Sequence, residues 1–153
     1  MTRINVGIPP AELVNQHLIA EHREIKRIPN CIAKGKYNMD GIPDKFKLGT
    51  GHVKFFYNKL LYLKNRYISL YDECIKRGFN VQNYIDSWNN VPQELMNDYK
   101  VEPNDIIIIK KRIKEWNDIK YGTYNEDRPL WSTVIILKTL KPEGTVTTAP
   151  KYK

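Results

Sequence analysis

GHVKFFYNKLLYLKNRYISLYDECIKRG, residues 51–78, is the stretch on which the fold turns. Within it Val53, Phe56, Leu60, Leu63, Tyr67, Leu70 and Cys74 recur at alternating steps of three and four. That spacing keeps all of them on one side of a 3.6-residue helix and predicts a long helix facing a core. Lys76 and Arg77 supply cations for its carbonyl end, and Gly78 is the residue that best tolerates a left-handed cap.

Upstream, Pro9 and Pro10 suit the start of a helix, and Val14, Leu18 and Ile25 form an apolar stripe, so a first helix is expected over about 10–28. Residues 29–50 combine Pro29, Gly35, Gly41, Pro43 and Gly49 with lysines, which reads as a helical remnant around Ile32 followed by a basic loop suited to phosphate contact. Downstream, Pro103 opens another helix, with Ile106, Ile109, Ile113 and Trp116 stepping by three, four and three over about 103–119. After Arg128 and Pro129, WSTVIILKTL fits either a strand or a buried extended strap. Residues 141–153, rich in Pro and Thr, are expected to be disordered. The expectation is one mainly α domain over 1–140, built on three principal helices, without internal repeats.

At 153 residues the chain can bury one core. It has no run long and apolar enough for a membrane span and no hydrophobic signal core, so a soluble intracellular protein is expected. Cys31 and Cys74 lack metal or disulfide spacing and read as idle or buried thiols. The formal charge is +8, and it is unevenly placed: residues 1–80 hold 14 Lys and Arg against 7 Asp and Glu, residues 81–153 hold 11 against 10. A cationic excess in one half favours a polyanionic partner, because neutralising phosphates releases counterions. Without a polybasic block or a strongly amphipathic peptide, nucleic acid is favoured over a membrane surface.

Six blocks then stand in order along the chain: MTRIN (1–5), QHLIAEHREIKR (16–27), LGTGHVKFFYNKLLYLKNR (48–66), ECIKRGFN (73–80), VPQELMNDY (91–99) and RPLW (128–131). In these the chain resembles the bacteriophage endonuclease V family of pyrimidine-dimer DNA glycosylases and abasic-site lyases. The resemblance implies a compact helical domain with its N-terminal segment threaded between the helices. It also implies that the initiator methionine is removed and that the Thr2 α-amine attacks C1′ of the damaged nucleotide, forming an imine that leads to strand cleavage by β-elimination. Such an amine has a reference pKa of about 7.7–8.0, which a neighbouring cation such as Arg3 lowers further.

The resemblance further implies that Glu24 is the catalytic carboxylate, stabilising the cationic sugar and shuttling protons. Taken alone, a glutamate beside Arg23 and three residues before Arg27 would be an ordinary surface ion pair. Gln16, Arg23 and Arg27, at offsets of seven and four, would share a DNA-facing side of the helix with Glu24, and Arg3 would join them. His17, seven residues before Glu24, could orient that carboxylate or pack the helix. His52, after the LGTG turn, is expected to cap a helix or contact phosphate, and His22 carries no assignment. Arg112 corresponds to a family arginine that contacts DNA, whereas Trp116 replaces the lysine expected one turn on, leaving Lys114 or Lys120 as substitutes. STVIILKTL stands where the family has an aromatic lesion-recognition segment. The implied partner is damaged duplex DNA, bound by a monomer, with no cofactor and no metal. The alternative, from composition and periodicity alone, is a non-catalytic basic helical protein that coats or bends DNA.

Overall fold

A computed structural model describes residues 2–121, with side chains through Glu115. RPLW, STVIILKTL, the 141–153 tail and the side chains of Trp116 and Lys120 lie outside the described residues. The elements run as α1 (Asn15–Glu24), α2 (Arg27–Ala33), α3 (His52–Phe55), α4 (Leu60–Lys76) and α5 (Pro103–Tyr121), with 3-10 turns at Pro10–Glu12, Ile85–Trp88 and Gln93–Leu95. No strand occurs among the described residues, and none of their helices is long and apolar enough to cross a membrane.

The mainly α single-domain expectation holds, but two expected helices are each divided. The first becomes the Pro10–Glu12 turn, an extended Leu13 and Val14, then α1 and α2. Pro29 explains the break between α1 and α2, since it has no N–H for Ile25 and its ring crowds that carbonyl. The chain restarts so that Pro29 falls in the first turn of α2, where the N–H would lack a partner anyway. The long helix is interrupted at Phe56–Lys59 by tight turns, with Phe56 N–H on Val53 and Lys59 N–H on Phe56. Lys59 Nζ donates to the Phe55 carbonyl at 3.0 Å, and Tyr62 N–H reaches Asn97 O, so both exposed helix ends find partners. At the far end of α4, Gly78 adopts φ 81°. Gly78 N–H bonds to Ile75 and Phe79 N–H to Cys74, the six-to-one pattern that closes a helix on a left-handed glycine.

Leu60, Leu63, Tyr67, Leu70 and Cys74 of α4 form the spine of the core with Leu18 and Ile25 around α1, Ile28 and Ile32 of α2, and Ile109 of α5. Phe46, Phe55 and Phe56 meet edge to face at 5.2–6.1 Å between ring centres. Burial of one such side chain contributes about 1.5–3 kcal/mol. Through this core runs the N-terminal strap, residues 2–8, with Ile4, Val6 and Ile8 buried. Gly7 turns it at φ 76°, and a Cβ there would stand 2.6 Å from Ile106 and 2.9 Å from Val101, so both conformation and space require glycine.

Candidate active site

Beside the strap opens a cavity of about 240 Å³. Arg3 and Asn5 come to it from the strap, Gln16, His17, Ala20, Glu21 and Glu24 from α1, and Arg112 and Ile113 from α5. The α1 residues step by one and three, which places them on one side of that helix. Of the residues singled out from sequence, Arg3, Gln16, His17, Glu24 and Arg112 therefore converge on one cavity. Thr2 is buried next to Arg3, at 9% exposure. Arg23 and Arg27 do not line the cavity. Both are exposed, and the turn at Ile25 and Lys26 places Arg27 on a separate helix from Gln16.

Two carboxylates face this space, and their surroundings differ. Glu21 is 1% exposed and receives Arg66 Nε at 2.5 Å, Arg66 Nη2 at 3.0 Å and Asn5 Nδ2 at 2.8 Å. Its charge is neutralised inside the core by a two-pronged guanidinium contact. Glu24 keeps 15% side-chain exposure and meets the edge of Arg23 at 3.5 Å. A carboxylate in that state retains lone pairs and charge for an incoming cation or proton. Gln16 Oε1 is buried without a hydrogen-bond partner among the described residues, an acceptor with capacity for a donor.

Arg112 donates to Asn5 Oδ1. Burial, then repulsion from Arg3, brings its pKa down to about 10, with Glu21 acting in the opposite sense; it remains cationic at neutral pH. The cavity thus presents two cations, Arg3 and Arg112, opposite one available carboxylate, a charge pattern that fits a phosphate-bearing ligand reacting through a cationic intermediate.

Three anchors place the strap. Ile4 N–H donates to His52 Nε2 at 3.0 Å, Asn5 joins Glu21 to Arg112, and Arg66 Nη1 donates to the Ile8 carbonyl at 2.8 Å. His52 differs from the sequence expectation. It is buried and makes no side-chain cap, and its Nδ1 stands 2.9 Å from the Lys47 carbonyl. An amide donor on Nε2 and a carbonyl on Nδ1 allow only the neutral tautomer protonated at Nδ1. Burial, partly offset by the Lys47 carbonyl, lowers its pKa to about 4, which keeps that form at neutral pH. His22 is buried against Tyr67 and Tyr84, with ring centres 5.2 and 5.3 Å away.

Asn5, Glu21, Arg66 and the role of His52 escaped the sequence reading. A usable signal existed for two of them. Glu21 falls three residues after Leu18 and four before Ile25, and Arg66 stands in the same relation to Leu63 and Leu70. Opposite charges at core positions of two helices point to a buried pair. The lysines of the 29–50 region are exposed at positions 34, 36, 45 and 47, while Cys31 is half-buried and Cys74 buried. No cluster of metal-ligating side chains occurs among the described residues. A family model described as pyrimidine dimer DNA glycosylase matches residues 1–87, a span that contains the strap, α1 and the Glu21–Arg66 pair.

Proposed function

The chain belongs to the pyrimidine dimer DNA glycosylase family, and from that premise we propose that it excises the damaged base through its own N-terminal amine and then cleaves the strand as an abasic-site lyase. With Met1 removed, the Thr2 α-amine attacks C1′ of the lesion nucleotide. The C1′–N bond to the base breaks and the base leaves with one amine proton; the C1′–O4′ bond then opens as the second amine proton passes to O4′, giving the ring-opened imine. Abstraction of a C2′ proton then expels the 3′-phosphate by β-elimination. Glu24 stabilises the positive charge that develops on the sugar and carries the protons, while Arg3 and Arg112 hold phosphate and favour the neutral amine. A retained methionine would bind the Thr2 nitrogen in an amide and abolish this chemistry. Lesion exposure costs a few kcal/mol of unstacking, least where the duplex is already distorted.

The observation that carries this reading is the pairing of a buried, anchored strap with a partly exposed carboxylate at its side, held by one long contact to Arg23 at 3.5 Å. A DNA-coating protein needs neither feature. Borohydride reduction on duplex DNA containing one abasic site, followed by mass spectrometry of the adduct, tests it. Linkage at the Thr2 nitrogen is expected. Linkage at a lysine, or no adduct from a chain that starts at Thr2, overturns it, and tight binding without an adduct would favour the coating role.

A further inference from the structure

Asn5 lies between two side chains of fixed and opposite hydrogen-bonding character. A carboxylate only accepts and a guanidinium only donates, so Asn5 Nδ2 faces Glu21 at 2.8 Å and Oδ1 faces Arg112. The usual two-fold ambiguity of an amide is removed by these partners. Glu21 has little freedom to move, being fully enclosed and held twice by Arg66, which also grips the Ile8 carbonyl. Ile4 and Val6, on either side of Asn5, are wholly buried, and the Ile4 N–H is taken by His52. Arg112 therefore adjusts to Asn5, and Asn5 does not adjust to Arg112. A leucine here would match the shape and supply neither group, an aspartate would lose the donor, and a glutamine would overreach.

We propose that Asn5 is a positioning residue for strand cleavage: anchored by Glu21 and Arg66, it fixes the Arg112 guanidinium in the cavity next to the strap that carries Thr2. The inference rests on reading Thr2 and this cavity as the reacting centre. It answers a difficulty of the charge arrangement, since Arg3 and Arg112 repel each other across one small space. Without the Asn5 oxygen, and the Glu21 charge behind it, Arg112 would swing toward solvent.

A double-mutant cycle with Asn5→Leu and Arg112→Ala tests this, using single-turnover cleavage of an abasic-site duplex at saturating enzyme, with melting temperature measured for each variant. Asn5→Leu should slow cleavage by about tenfold or more, and the double variant should be no more than about twofold slower than Arg112→Ala alone. Factors that multiply, or a wild-type rate for Asn5→Leu assayed well below its melting temperature, would overturn the proposal. Should Asn5→Leu not fold, Asn5→Ala and Asn5→Asp provide a second comparison. Aspartate keeps an oxygen toward Arg112 but sets a second carboxylate beside Glu21, so it should cleave faster than the alanine variant while melting lower. Rates that simply follow the melting temperatures would refute a positioning role. A wild-type chain that forms no adduct at Thr2 removes the underlying reading, whereas a wild-type adduct with multiplying factors removes the role of Asn5 alone.

Discussion

Glu21 and Glu24 stand three residues apart on the same face of α1 and border the same cavity, yet one belongs to the core and the other to the site. Glu21 is held by a guanidinium and an amide, and Glu24 meets the edge of an exposed arginine. What separates them is the residue across the interface. Arg66 projects from the apolar side of α4 and meets Glu21. A helix turn is thereby split between a residue held in the core and one facing the cavity, and the two should separate under mutation.

The largest effect should come from Glu21→Gln, which strands the Arg66 charge in the core. Removing one partner of a buried pair costs about 3–5 kcal/mol, so urea denaturation should shift strongly and the fold should become marginal. A variant as stable as wild type would show that the pair is not a structural hub. Acidification probes the same region with a comparable ceiling. His52 takes up a proton near pH 6.5 when unfolded but only near 4 when folded, so the unfolded state binds more protons between those values. Stability should fall as pH drops through that window, by up to roughly 3 kcal/mol, and level off below it. Burial lowers His22 as well, in the same direction. Denaturation curves for His52→Gln should have a shallower slope there, and an unchanged slope would remove His52 from the balance.

Glu24→Gln should reverse the pattern seen at Glu21. Base release and abasic-site cleavage are expected to fall about a hundredfold, the scale of losing one preorganised electrostatic group, with a melting temperature close to wild type. Normal single-turnover rates on both a thymine-dimer duplex and an abasic duplex would return Glu24 to the status of a surface ion pair. The smallest effects belong to Arg23→Ala and Arg27→Ala, at exposed positions outside the cavity. Each is expected to reduce the salt dependence of duplex binding by about one counterion per lost phosphate contact, with turnover at saturation preserved. Identical slopes for both variants and wild type would take these arginines off the DNA-binding surface.

The spine of the fold was legible because the stripe from Leu60 to Cys74 and the Gly78 stop are local signals that packing reinforced. The breaks at Ile25–Lys26 and Phe56–Lys59 were not. Apolar periodicity continues through both, and only the backbone demands of Pro29, and of the partners supplied by Lys59 and Asn97, divide the helices. In the site, Gln16, His17, Glu24, Arg3 and Arg112 were found through motif resemblance, and their convergence required the folded chain. Asn5 stayed hidden because its contacts lie 16 and 107 residues away, which no periodicity encodes, whereas Glu21 and Arg66 carried a signal as opposite charges at core positions of two helices.

Those separations bear on the order of events as the chain is made. The strap precedes His52, Arg66 and Arg112, which hold it, by 48, 58 and 107 residues. Until the last of them has been synthesised the N-terminus cannot be fully docked, and each closure carries the entropy of a long loop. The docking of the strap therefore waits on residues from three later helices, α3, α4 and α5.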